Sequence, residues 1–145
     1  MSHSPQVFLD ACVFIAAAAS PQGGSALVLE LCKRRRVQPI TTQSILQEAE
    51  RNISLNFHPQ VLLRFYQDIA HKNLRAANPA GAKEIALCSG IIDPKDVHVL
   101  AAAIGSRATI LLTLDRNHFM TPSLRQANLG LLIQTPGALL RQWVD

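Results

Sequence analysis

The sequence predicts an α/β fold: a three-layer α/β/α sandwich around a mostly parallel sheet of four or five strands. Three observations lead there. The candidate strands are short and apolar on both faces, as in Thr109-Ile110-Leu111-Leu112-Thr113, which suits strands covered on both sides. Helical stretches separate them, as parallel strands require. The chain has 145 residues, 48% of them apolar, enough for one domain with its own core. It shows no repeat, no low-complexity tract and no dividing linker, so a single domain over 1–145 is expected.

Residues 6–10 read as a first strand, Val7-Phe8-Leu9 closed by Asp10. The Ala-rich stretch 11–20 is a helix by propensity, and Pro21-Gln22-Gly23-Gly24-Ser25 is a turn. Residues 26–36 form a helix with Leu27, Leu29, Leu31 and Cys32 on its apolar stripe and Lys33-Arg34-Arg35-Arg36 at its end, where the dipole favours cations. Residues 37–40 are a second strand, and Thr41 or Thr42 caps a helix reaching about 55. Pro59 opens a helix over 59–71 with Val61, Leu62, Phe65 and Ile69 on one face. The stretch 74–77 is the weakest strand candidate, hence four strands or five. A helix is expected over 79–89 and another from Asp93-Pro94 to about 106. The strand 109–113 follows, then a short helix over 121–127, a strand over 129–134 and a last helix over 136–144. Phe57, Phe65 and Tyr66 stand at helical spacing and are expected in the core. Trp143 is ambiguous between packing and a partner surface.

Cys12, Cys32 and Cys88 are widely spaced and odd in number, which fits a reducing compartment rather than a disulfide scaffold. The apolar run 7–19 resembles a signal peptide only superficially. No Lys or Arg precedes it, Asp10 interrupts it, and it is too short to span a bilayer. A cytoplasmic protein without a membrane segment is expected. The net charge of +4 permits attraction to a polyanion, although an ordinary solvated surface is its commoner meaning. The five histidines show no HxxxH or HExxH spacing, so a zinc site is not expected, and neither a P-loop nor GxGxxG occurs.

Acids are scarce, at ten residues, and their places are informative. In a doubly wound sheet, ligands bind at the carboxyl ends of the strands. Asp10 and Asp115 follow strands. Asp93 and Asp96 open the helix before the strand that Asp115 follows. Glu48 and Glu50 lie on the helix after the second strand. These six acids fall where they can converge on one rim. Close like charges raise one another's pKa, so a divalent cation is their natural partner, with Mg²⁺ or Mn²⁺ suited to carboxylates. Each acid also has a plainer role. Asp10 can N-cap its helix. Asp93 before Pro94 is a good N-cap, with Asp96 completing a capping-box-like pattern. Asp115 can cap a turn, and Glu48 can lie on a solvated face.

Four stretches together resemble the PIN-domain family, most closely its small toxin-type (VapC-like) ribonucleases. They are Val7 to Ile15 around Asp10, Ile45-Leu46-Gln47-Glu48, the Asp93 to Ala103 helix opening, and Leu112-Thr113-Leu114-Asp115-Arg116-Asn117-His118-Phe119. The Thr135-Pro136 start of the last helix is similar too. The match runs in order over nearly the whole chain. Carried over, it implies metal ligation and catalysis by Asp10, Glu48, Asp96 and Asp115, with Glu50 the competitor of Glu48. Asp93 becomes an accessory acid and Thr113 a hydrogen-bond partner of the ligands. The family often has a small hydroxyl residue and an Asn or Ser directly after the first Asp. Here these are Ala11 and Cys12, a departure that removes side-chain hydrogen bonds from the rim.

The resemblance implies hydrolysis of RNA phosphodiesters with Mg²⁺ or Mn²⁺, which acidifies a water for in-line attack and offsets charge on the phosphate. Arg116 beside Asp115 is the first candidate to lead RNA in, Lys95 the next, and His118 a third that is more commonly a surface loop residue. A toxin-type member is expected to form a homodimer and to be held by a small antitoxin, with the helices from Ala26 and Pro59 as contact surfaces. The alternative is a catalytically weak or inactive PIN-like module that binds RNA or a protein partner, for which Ala11-Cys12 speaks. A phospho-acceptor receiver domain is disfavoured, because it needs a second acid beside Asp10 where Leu9 stands and a Lys near Gln134-Thr135-Pro136.

Overall fold

The computed structural model describes residues 4–71 and 73–142. Five strands, β1 (Gln6–Leu9), β2 (Gln38–Thr42), β3 (Arg75–Ala77), β4 (Ile110–Leu112) and β5 (Leu132–Gln134), form one sheet in the order β3-β2-β1-β4-β5. Every pairing is parallel. The weak stretch near 74–77 is therefore a true edge strand. β1 lies at the centre, with Phe8 opposite Ile40 on one side and Leu111 on the other.

The helices are α1 (Ala11–Ala19), α2 (Gly24–Lys33), α3 (Gln43–Asn56), α4 (Pro59–His71), α5 (Ala82–Cys88), α6 (Val97–Gly105), α7 (Arg116–Phe119), α8 (Pro122–Ala127) and α9 (Pro136–Arg141). α1 packs on α2, α3 and α4, while α5 packs on α6 and α9 on α2. α1 to α4 pack together as one layer and α5 packs on α6, as expected if right-handed crossovers in this strand order put the two groups on opposite faces of the sheet. The expected end of the last helix and Trp143 lie outside the described residues. Among the described residues no single helix is long and apolar enough to cross a membrane.

The core explains the element choices. Val7, Phe8, Leu9, Ile40, Leu111 and Leu112 are fully buried, and each such side chain contributes about 1.5–3 kcal/mol. Ala17, Ala18, Ala101 and Ala103 are buried too, so the inner faces of α1 and α6 are built largely from small residues.

The differences from expectation have local causes. α2 starts two residues earlier and ends three earlier than its apolar pattern suggests. Arg35 adopts φ 61°, and Arg36 N–H donates to Leu31 O while Arg35 N–H donates to Cys32 O. That is a Schellman ending, so Arg34 to Arg36 stand beyond the helix. The buried stripe of α2 is Ser25, Val28, Leu29 and Cys32, and Leu27 is exposed. Phe65 is buried, but Phe57 and Tyr66 are exposed, because their positions turn away from Phe14, which meets Phe65 edge-on. β2 runs on to Thr42, whose side chain caps α3 by accepting from Ile45 N–H. Thr41 is buried and donates to Leu9 O at 2.9 Å, tying β2 to β1 just before Asp10.

Candidate metal centre

The strand order reverses between β1 and β4, and the crevice at their carboxyl ends is the ligand-binding place of such sheets. Asp10 follows β1. It caps α1, with Oδ1 accepting from Ala11 N–H at 2.8 Å. Its other oxygen accepts from Thr113 Oγ1, also at 2.8 Å. Thr113, directly after β4, is fully buried, and its oxygen accepts from Asp115 N–H at 3.1 Å. One hydroxyl thus orients the acids of both strands.

Asp115 caps α7, a single turn that the sequence pattern did not reveal. Oδ1 accepts from His118 N–H at 3.2 Å, and Oδ2 pairs with His118 Nδ1 at 2.7 Å. Burial works to raise the Asp115 carboxyl, but the hydrogen bonds and charge of His118 outweigh it and hold it below its ordinary value. The same hydrogen bond raises His118 above the ordinary imidazole value. His118 is therefore part of the rim, not a free loop residue. The signal for it was the Asp-x-x-His spacing, which puts both side chains on one side of a turn if the Asp caps it.

Asp96 differs from the others. A 3₁₀ turn, Pro94–Asp96, precedes α6, and Asp93 caps it by accepting from Lys95 N–H at 3.0 Å. Asp96 occupies the N-cap position of α6 yet makes no side-chain cap, so the capping-box expectation fails and the carboxylate is free to point at the rim. Its Oδ2 is buried without a hydrogen-bond partner. His118 Nδ1 stands 3.7 Å away, beyond hydrogen-bond range. Burial is the main reason the Asp96 carboxyl sits above its ordinary value. His118 and Lys95 oppose this, while Asp115 and Asp10 reinforce it. Ligand atoms of Asp96, Asp115 and His118 all lie within 4.8 Å of one another.

The remaining candidates fall outside this knot. Asp93 is exposed and engaged in its cap. Glu48 is exposed on α3 and is not among the charges that act most strongly on Asp96. Glu50 is hydrogen-bonded by Tyr66. Arg116 is exposed, whereas the charge of Lys95 reaches Asp96, Asp115 and His118 alike.

Cys12 repairs the departure noted after Asp10. Its Sγ lies 3.6 Å from Asp10 Oδ2 and 3.5 Å from Thr113 Oγ1, and accepts from Leu114 N–H at 3.3 Å. A thiol therefore supplies hydrogen bonds that Ala11 cannot. Burial first, and Asp10 next, push its pKa up to about 11, so it is a neutral neighbour and not a nucleophile. A cavity of about 650 Å³ lies elsewhere, beside β5, among Phe119, Met120, Leu124 and Ile133, and has no acid in its lining.

The family model for the PIN domain matches residues 6–117, from β1 through Asp115. The chain belongs to the PIN-domain family. No curated protein matches it. Among solved structures, this PIN domain is similar to a chain in the crystal structure of VapBC2 from Rickettsia felis bound to a DNA fragment from their promoter. The TM-score is 0.62 at 15% identity, covering 90% of this chain and 98% of that one. That likeness carries the fold. Divalent metals typically serve PIN nucleases, and this rim fits one: a buried carboxylate oxygen without a partner faces two further acids and an imidazole.

Proposed function

We propose that this PIN domain is a metal-dependent endoribonuclease and the toxin of a toxin–antitoxin pair. The observation that carries the reading is the buried Asp96 Oδ2, which has no hydrogen-bond partner and lies near two further acids with only His118 facing it, at 3.7 Å. A carboxylate is costly in that setting without a cation. Asp10, Asp96 and Asp115 would hold Mg²⁺ or Mn²⁺, and Glu48, exposed on α3, is the candidate for a fourth acid. Glu50 is the weaker candidate because Tyr66 already engages it. A bound ion offsets charge on the phosphate and acidifies a water for attack on phosphorus. Thr113 and Cys12 orient Asp10, and Lys95 draws the RNA backbone toward the rim.

The rim is open, with the Asp115 and His118 side chains about one-third exposed, which suits a polymer lying across it. The VapBC2 likeness supports a cognate antitoxin as partner. A homodimer in the cytoplasm belongs to the same reading. The test is cleavage of RNA by purified protein with Mn²⁺. Cleavage that Asp96→Asn abolishes supports it. No cleavage by the wild type, with metal binding indifferent to Asp96→Asn, overturns it in favour of a binding module.

A further inference from the structure

The three donor groups at the centre of the rim are not all oxygens. His118 Nδ1 faces Asp115 Oδ2 at 2.7 Å and Asp96 Oδ2 at 3.7 Å. Two atoms bound to one small divalent ion, with bonds of about 2.1 Å, stand about 3.0 Å apart when adjacent and about 4.2 Å when opposite. The His118–Asp96 separation, 3.7 Å, falls between the two and reaches the adjacent value with a closure of roughly 0.7 Å. The His118–Asp115 separation is a hydrogen bond, and an ion replacing its proton need widen it by only a few tenths of an ångström. The imidazole is also held in place. The His118 N–H is anchored on Asp115 Oδ1 at 3.2 Å, and Phe119 beside it is buried, so the one-turn α7 aims the ring into the site. The stretch matched to the PIN-domain family ends at residue 117, one short of this histidine.

We propose that His118 Nδ1 is itself a metal ligand, which makes this a mixed oxygen and nitrogen site that takes Mn²⁺ in preference to Mg²⁺. The inference rests on the metal-dependent reading above and adds a ligand and a selectivity to it. The chemistry follows from the donor set. Mg²⁺ favours oxygen ligands and retains its waters, whereas an imidazole nitrogen raises the relative affinity for first-row transition ions. The competing role for His118 is to orient Asp115 without touching the ion, as partners of metal ligands commonly do. The distances favour direct ligation, since one imidazole nitrogen stands within 3.7 Å of a carboxylate oxygen of both Asp96 and Asp115 and is placed to share an ion with them.

The experiment titrates the full chain with MnCl2, following free Mn²⁺ by electron paramagnetic resonance, and repeats it against MgCl2 in competition. Pulsed measurements on the bound Mn²⁺ then look for coupling to a directly ligated nitrogen. Wild type is expected to show that coupling, and His118→Gln to lack it. In His118→Gln, Mn²⁺ affinity should fall about tenfold or more while Mg²⁺ affinity changes far less, with circular dichroism verifying the fold. Bound Mn²⁺ without nitrogen coupling, or equal losses for both ions, overturns the proposal and leaves the acidic metal centre standing. Failure of Mn²⁺ to bind wild type overturns both.

Discussion

The β1–β4 crevice and the α3–α4 pair each bring acids together with a hydroxyl, and the outcomes are opposite. In the crevice, Thr113 is buried and orients two acids from strand ends. On α3–α4, Tyr66 is exposed and satisfies Glu50 across two helices. Strand ends fix a side chain to within the register of the sheet, while a helix face leaves it free to find a local partner. The crevice gathers two hydrogen-bonded acids from strand ends and a third, Asp96, from the start of α6 with an unbonded oxygen, while the helix pair satisfies its acid locally.

The sharpest way to break this contrast is Asp96→Asn. Metal-dependent cleavage should fall at least about a hundredfold, as read by RNA cleavage with Mn²⁺. Without metal, the same variant should melt about 3 °C higher, since it removes a buried charge from among like charges. Wild type should regain that ground on adding Mn²⁺, by about 2.7 kcal/mol at a hundred times Kd. A variant that melts lower without metal would show the carboxylate to be a structural element after all.

Next in size is Thr113→Val, which keeps the shape but leaves Asp115 N–H unpaired and Asp10 Oδ2 with only the weak Cys12 thiol. It should cost about 1–3 kcal/mol in urea unfolding, whereas Tyr66→Phe should cost under about 0.5 kcal/mol. Equal costs would erase the distinction between the two hydroxyls. Glu48→Gln should lower cleavage about tenfold and Glu50→Gln should leave it near wild type. The reverse result would transfer the fourth acid to Glu50.

The smallest effect is spectroscopic. Tyr66 is the chain's one tyrosine, so tyrosinate absorbance reports it alone. Its hydrogen bond to Glu50 holds the proton and lifts its pKa above the ordinary value. The midpoint should therefore lie above about 10 and return toward it in Glu50→Gln. An unchanged midpoint would mean that the pair does not form in solution.

Much of this was legible in the residues. Apolar runs closed by acids located β1 and β4, and the helix before β4 placed Asp96 on the same rim. Thr113 was identified from its place beside Asp115. What stayed hidden depended on contacts between distant segments. A four-residue helix such as α7 has too few positions for periodicity, so His118 read as loop. Asp96 looked like a cap because spacing cannot tell where a carboxylate points. Tyr66 and Phe57 looked like core because helical spacing gives a face but not which face the sheet will cover. The loss implied by Ala11-Cys12 was misjudged because a thiol hydrogen-bonds weakly, and here geometry brings it three partners.

Thr113 lies 103 positions after the Asp10 that it holds, and β4 must insert beside β1 before the two can meet. Closing so long a loop is slow compared with forming the neighbouring α1–α4 layer. During synthesis, a chain that has not yet released β4 carries β1 with one edge unpaired and Asp10 without its hydroxyl partner. The rim is therefore an indicator of completed folding: it comes into being only when the beginning and the later part of the chain have joined.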